Sequence, residues 1–331
     1  MAYSAEILAD SVGWSDDRLT TFEIVIPRIV LSEFNTVRLF SRNSASSRAI
    51  PVEKQIGRIL NDPFVPEKWP VNKPGMQADE VLDEADSIIA AENWIIARDF
   101  AVRSAVAIIG GIKQLKDEAL RDRISDIDAH LSYPGTDLTT PVHKQIANRL
   151  LEPFAWHQII VTATDWSNFF ALRANSQAQP EIQKPAYMMK DLYETTSPKF
   201  LTTDEWHLPL IQEDEKDLPL EMLKKISVGR CTRVSYLTHH GLRDVQEDID
   251  LHDRLVKDGH MSPLEHIASP MLPSQYKESP YKGNFRGWNQ YRKSIDGEHD
   301  FNILRKIFDF ELIFIENDAI RQSLTTQLVG V

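Results

Sequence analysis

The chain has 331 residues, with 49 acidic against 37 basic side chains, a formal net charge of −12 and 42% hydrophobic residues. Length and composition are those of a globular protein with one large domain or two ordinary ones, and the negative balance speaks against general nucleic-acid binding while leaving room for a small anion held by local arginines. A lone cysteine, Cys231, excludes an intrachain disulfide framework or a cysteine-rich metal site, and neither a membrane-length apolar stretch nor a signal-peptide pattern is present, so a cytoplasmic protein without membrane partners is expected.

Residues 22–31 (FEIVIPRIVL) are β-branched and apolar and predict a strand interrupted at Pro27. Residues 33–48 follow, with small polar residues where a structural helix would carry apolar ones. Residues 62–76 are rich in proline and read as a loop. Residues 79–117 have helical periodicity, broken at Gly110-Gly111, and a second loop passes through Tyr133-Pro134-Gly135. Residues 140–154 predict an amphipathic helix with Pro141 near its first turn.

A short strand is expected over 158–164 and helix over 165–193, interrupted around Pro180 and Pro185. The acidic stretch 203–219 reads as a surface connection. A strand is expected within 224–237, placing Cys231 in an apolar, inert position. Helical periodicity covers 243–258, a loop HMSPLEH ends it, and the apolar stretch 303–316 is expected to close the core.

Three segments carry polar groups suited to chemistry. The first, 38–48 (RLFSRNSASSR), offers three arginines, four serines and one amide within eleven residues. Guanidinium forks and hydroxyls suit a phosphate, although a serine-rich surface turn has the same composition. In the second, 169–183 (FFALRANSQAQPEIQ), an apolar helix face gives way to Arg173, Gln177, Gln179 and Glu181, groups suited to a heterocycle edge or simply to a solvated helix end. The third, 259–266 (GHMSPLEH), holds two histidines and a glutamate, but Pro263 breaks the helical spacing of a zinc motif, so a ligand-contacting loop or an ordinary helix-ending turn is expected and no metal ligand is assigned. Walker, dinucleotide-fingerprint and nucleophile-elbow patterns are absent.

Together these segments resemble the flavin-dependent thymidylate synthase family. Its signature reads R-H-R-x-x-S-x-N-E-x-S-x-R, and Arg38, Ser41, Asn43, Ser46 and Arg48 fall on the matching Arg, Ser, Asn, Ser and Arg. Its second element, N-F-x-x-L-R then A-Q-x-E-I-R, is similar to 168–183. Its third, A-R-V-S-Y then G-H-x-S-P-F-E-H, is similar to 232–236 and 259–266. In the family the third element precedes the arginine motif; here it follows, so the chain reads as one circularly permuted catalytic domain over 1–331 with a helical insertion at about 79–135.

The resemblance implies an α/β (α+β) fold, a mixed sheet flanked by helices, and a homotetramer with sites shared between subunits. It implies FAD, reduced by NADPH, and transfer of a one-carbon unit from methylenetetrahydrofolate to carbon 5 of a pyrimidine deoxynucleotide, dUMP by default, without a cysteine nucleophile. By position Ser46 and Arg48 would hold the nucleotide phosphate, with Glu33, Ser44 and Gln183 also on the nucleotide. Arg38, Asn43, Gln177, Ser262 and Glu265 would contact the cofactors, and Arg173 and His260 would act beside the flavin.

Departures from the pattern keep other readings open. Thr36 and Val37 replace the first Arg and the His of R-H-R, which admits a flavin- or nucleotide-binding homologue without catalysis. Ser44 replaces a Glu, Glu33 stands at a usual Gln, and Gln183 stands at the Arg of E-I-R. A carboxylate or amide acceptor suits the exocyclic amine of cytosine. dCMP, methylated or hydroxymethylated, is therefore the alternative substrate. The stretch 283–293 (GNFRGWNQYRK) is either a plain surface strand or a contributor to the site.

Overall fold

The computed structural model describes residues 3–74, 80–240 and 244–300. The chain divides into two units, Met1–Ile295 and Asp296–Val331, and the sheet and helices named below belong to the first. The stretch 303–316 lies outside the described residues. No helix among the described residues is long and apolar enough to cross a membrane.

Strands β1 (Ser4–Val12) and β2 (Arg18–Pro27) form an antiparallel hairpin with an irregularity between Ile7 and Ala9. β3 (Ser41–Ser44) pairs antiparallel with β4 (Trp156–Ala163), which pairs antiparallel with β2. The two-residue β5 (Lys199–Phe200) joins β1 in parallel, giving a mixed sheet in the order β3-β4-β2-β1-β5. β2 is central and buried from Leu19 to Pro27, which is why most of its residues are apolar or β-branched, with Glu23 a buried exception. Pro27 ends it, because proline has no N–H for the ladder. A second, two-stranded sheet pairs β6 (Ala268–Pro270) with β7 (Trp288–Gln290).

The helices are α1 (Leu31–Phe34), α2 (Val52–Asn61), α3 (Glu84–Ile108), α4 (Glu118–Leu131), α5 (Lys144–Ala147), α6 (Ser167–Arg173), α7 (Pro180–Thr195), α8 (Leu220–Arg233), α9 (Val245–Lys257) and α10 (Pro273–Glu278). Alternate residues of β2 and β4 point to opposite faces of the sheet. Phe22, Ile24, Ile26, Ile159 and Val161 pack against Phe169 and Phe170 of α6 and Ile182, Ala186 and Met189 of α7. Full burial of each such side chain contributes about 1.5–3 kcal/mol. On the other face Ile160 meets Leu210, Cys231 and Val234. Helices thus cover both faces of a mixed sheet, as the α/β expectation requires.

α3 and α4 share a second core with α2 and the chain before β4. Val102 and Val106 of α3 and Ile124 of α4 pack with Ile56 and Ile59 of α2 and with Leu151. Asp83 caps α3 by accepting from Asp86 N at 2.9 Å, and Asp117 caps α4 by accepting from Leu120 N. α3 stops at Gly110 and Gly111, whose φ values of 97° and 88° favour glycine.

Several local expectations are corrected. The strand expected within 224–237 is helix α8 followed by a 3₁₀ turn, Val234–Tyr236. Leu223, Ile226, Cys231 and Val234 recur at helical spacing, and burial on nearly all sides hid that period behind the alternation of V-S-Y. Cys231 is buried as expected, on a helix, and burial raises its thiol pKa. The helix expected over 140–154 shrinks to α5 and a 3₁₀ stretch, Asn148–Phe154, with His143 rather than Pro141 at the entry. Pro180 begins α7, but Pro185 sits inside it without a break, since burial of Ile182, Ala186 and Met189 outweighs one missing hydrogen bond. The stretch 203–219 is not merely surface: His207, Leu210 and Glu215 are buried.

Candidate functional site

A cavity of about 770 Å³ opens where distant parts of the chain meet. β3 and the turn after it contribute Arg42, Asn43, Ser44, Ser46 and Arg48. The end of α8 and the 3₁₀ turn beyond it contribute Thr232, Ser235 and Tyr236, and the turn after α9 contributes His260 and Ser262. Gly259, at φ 70°, reverses the chain after α9 and sets His260 at the rim. Of the residues assigned from sequence, Asn43, Ser44, Ser46, Arg48, His260 and Ser262 are therefore brought together.

Backbone contacts fix these segments on one another. Ala45 N–H donates to the Gln158 carbonyl at 2.9 Å, continuing β3 along β4, and Ser46 N–H donates to the Ser235 carbonyl at 3.1 Å. The stretch 283–293 is not a surface strand. Trp288 and Gln290 are buried, Gln290 Nε2 donates to Ser41 Oγ at 3.1 Å and to the Glu265 carbonyl at 2.9 Å, and Asn284 Nδ2 donates to Ser41 Oγ at 3.1 Å. It fastens the arginine motif to the 3₁₀ turn Ser262–His266.

The fourth wall was not foreseen. His143, Lys144, Gln145 and Arg149, which follow α4, line the same cavity with Arg28. Lys144 Nζ donates to the Ala49 carbonyl at 2.9 Å, and Asn148 Nδ2 donates to the Ser47 and Ile50 carbonyls. Glu152 accepts from Arg28 at 3.1 Å, Arg149 at 2.9 Å and Ser47 Oγ at 2.5 Å. The polar run VHKQIANR was the sequence signal; read as one amphipathic helix, it gave no reason to face another motif.

The cavity's electrostatics follow from this lining. Arg28, Arg42, Arg48, Lys144 and Arg149 face it, and among the described residues no carboxylate does. Burial lowers the pKa of both Arg28, against the opposing Glu152, and Arg42, against Glu265, so an anion in the cavity would relieve part of that cost. Behind the wall His157 is held well below its ordinary value by burial and by the charges of Arg28 and Arg58, and is neutral.

Other assigned residues lie elsewhere. Arg38 is exposed and outside the cavity lining. Glu265 pairs with Arg292. Glu33 and Arg173, assigned to the nucleotide and to the flavin, form an ion pair with each other. Gln177 and Gln183 line a second cavity of about 490 Å³, with Lys68, Trp69 and Trp94. Gln183 Nε2 donates to the Asn175 carbonyl at 2.6 Å. Within one copy of the chain, the segment 173–183 and the cationic cavity are separate sites.

No family model matches the sequence, and no curated protein matches it. Solved structures do. The chain is similar to the UMP/dUMP methylase PolB from Streptomyces cacaoi bound with 5-Br UMP, at 15% identity and a TM-score of 0.40, over 58% of this chain and 88% of that one. The same methylase bound with 5-Br dUMP matches at 14% identity and a TM-score of 0.38, over 58% and 90%. The flavin dependent thymidylate synthase ThyX from Helicobacter pylori, complexed with FAD and dUMP, matches at 17% identity and a TM-score of 0.28, over 53% and 67%.

Proposed function

We propose that this chain is a flavin- and folate-dependent enzyme that transfers a one-carbon unit to carbon 5 of a pyrimidine deoxynucleotide, dUMP by default, whose phosphate occupies the cationic cavity. One observation carries this reading: in a protein of net charge −12, five Arg and Lys side chains converge on one cavity without a lining carboxylate. The segments that build it include two of the three that resemble the flavin-dependent thymidylate synthases.

The donor set fits phosphate groups. Arg48 and Lys144 offer charge-assisted hydrogen bonds, and Ser44 and Ser46 offer hydroxyls to the remaining oxygens. Asn43, His260 and Ser262 would hold the flavin side of the same cavity. FAD, reduced by NADPH, would supply the hydride chemistry, with methylenetetrahydrofolate as the one-carbon donor. The residues of this chain bind and orient: Arg48 and Ser46 anchor the phosphate, and Ser235 and Tyr236 fix the wall beside it. Arg173, Gln177 and Gln183 would meet this cavity from a second copy of the chain in a homo-oligomer, which accounts for their separation within one copy.

The cytosine reading has its own support. Gln183 commits its amide donor to the Asn175 carbonyl, which leaves its oxygen as an acceptor suited to an exocyclic amine. The test offers dUMP and dCMP separately to purified protein with FAD, NADPH and methylenetetrahydrofolate, and reads the product by mass. Product from dUMP supports the main reading, and product from dCMP alone transfers it to cytosine. Binding of flavin and nucleotide without turnover would leave a binding homologue.

A further inference from the structure

On the face of the sheet that packs against α8, β2 carries a buried carboxylate, Glu23, only 5% exposed. Both of its oxygens are taken by imidazoles from consecutive residues. His239 Nε2 lies 2.9 Å from Oε1, and His240 Nε2 lies 2.7 Å from Oε2. One ligand-capable atom from each of the three side chains falls within 4.8 Å of the others. A fourth ligand-capable group stands nearby: Glu6, directly opposite Glu23 on β1, comes within 3.7 Å of His240 Nε2.

We propose that Glu23, His239 and His240 form a binding site for a divalent first-row transition metal of the zinc type, with Glu6 or water completing the coordination. The charge arrangement calls for a cation, since two carboxylates directly opposite on adjacent strands repel and a buried one is costly without a partner. A single imidazolium would neutralise Glu23. Two rings presenting the same nitrogen to one carboxylate make a three-ligand set instead. Two imidazoles with a carboxylate suit zinc and its neighbours, whereas magnesium and calcium prefer oxygen alone. Metal–ligand bonds of about 2.0–2.2 Å place tetrahedral ligands about 3.4 Å apart, so the two imidazole–carboxylate contacts need open by about 0.5–0.7 Å. His239 is buried and fixes the inner side, and His240, half exposed, provides the entry path.

The ion would tie residues 237–240 to the sheet. That segment directly follows Ser235 and Tyr236 in the cavity wall, and Gln158, whose carbonyl holds Ala45, also donates its amide to Glu23. Metal loading would therefore stiffen the wall, whatever the cavity holds. The site was invisible in the sequence because Glu23 and His239 are 216 positions apart.

The test uses the full chain without an affinity tag, stripped with a chelator and titrated calorimetrically with Zn²⁺. The expected result is one equivalent bound, a melting temperature raised by Zn²⁺ and unmoved by Mg²⁺, and affinity reduced at least about tenfold in His240→Ala and in Glu23→Gln. His240→Ala removes a half-exposed side chain, so its metal-free melting curve should match that of the wild type. Zinc binding that both substitutions leave unchanged, or no binding at all, overturns the proposal. Co²⁺ gives an answer that needs no variant: a strong tetrahedral visible spectrum supports the site, and a weak octahedral spectrum or none contradicts it.

Discussion

The Ser46 backbone N–H donates to the Ser235 carbonyl at 3.1 Å, joining two motifs that lie far apart in the chain. This bond sets the arginine-motif turn against the end of α8, and the cationic cavity opens between them. Lys144 completes the arrangement from a third region by donating to the Ala49 carbonyl at 2.9 Å. Main-chain and side-chain bonds thus hold the cavity's shape together.

Lys144→Met should raise the KM for the nucleotide about tenfold or more, because it removes a charge-assisted donor, while kcat changes less. Steady-state kinetics with the nucleotide varied will read this. An unchanged KM would remove Lys144 from the phosphate site.

Arg230 is buried in α8 and binds Glu215 through two contacts of 2.6 Å and Asp248 at 3.0 Å. Arg230→Met would leave two buried carboxylates with one compensating charge fewer, and should cost about 3–5 kcal/mol in urea unfolding. Adding Glu215→Gln to that variant should recover part of the loss.

Gly229 lets α9 approach α8 closely. A Cβ there would stand 2.5 Å from the Asp248 carbonyl oxygen. Alanine's helix preference, worth about 1 kcal/mol, favours the substitution, but the obstruction is backbone and cannot rotate away. Gly229→Ala should therefore destabilise by about 1–3 kcal/mol, and a rise in stability by denaturant titration would show that the helices have room to separate.

Ser11, His207, Thr21, Thr162 and His266 form a buried hydrogen-bonded chain across β1, β2 and β4. Burial pushes His207 and His266 down to about 3, with the His266 charge adding to the effect on His207. Both stay neutral in the folded protein, whereas the unfolded chain protonates them below about 6.5. The unfolded state therefore binds more protons as pH falls, and stability present above pH 6.5 is lost toward pH 3 at about 1.4 kcal/mol per histidine per pH unit. Unfolding free energy should drop by roughly 2–3 kcal/mol from these two groups between pH 7 and 5.5. His266→Asn should flatten that slope by about half.

Local pattern foretold what depends on local pattern. β2 and β4 were readable from β-branched runs, α9 from its period, and the arginine motif from its likeness to the family signature. β1 was not, because SAEILADSV is half exposed and acidic and gains its strand character from pairing with β2. α8 was misread because burial on nearly every side erased its amphipathic stripe. Of the residues that line the cavity, the resemblance singled out Ser46, Arg48 and His260. Arg28, Lys144 and Arg149 were not singled out, because only the folded chain brings them to one cavity with the arginine motif. Glu33 and Arg173 were given separate roles in different motifs, and nothing in either motif announces that they neutralise each other.

The most direct test of a phosphate-binding cavity compares dUMP with deoxyuridine by calorimetry, on wild type and on Arg48→Ala. The account predicts that wild type binds dUMP at least about tenfold more tightly than deoxyuridine, and that Arg48→Ala loses most of that preference. Equal affinities for the two ligands in wild type, or a preference untouched by Arg48→Ala, would contradict it.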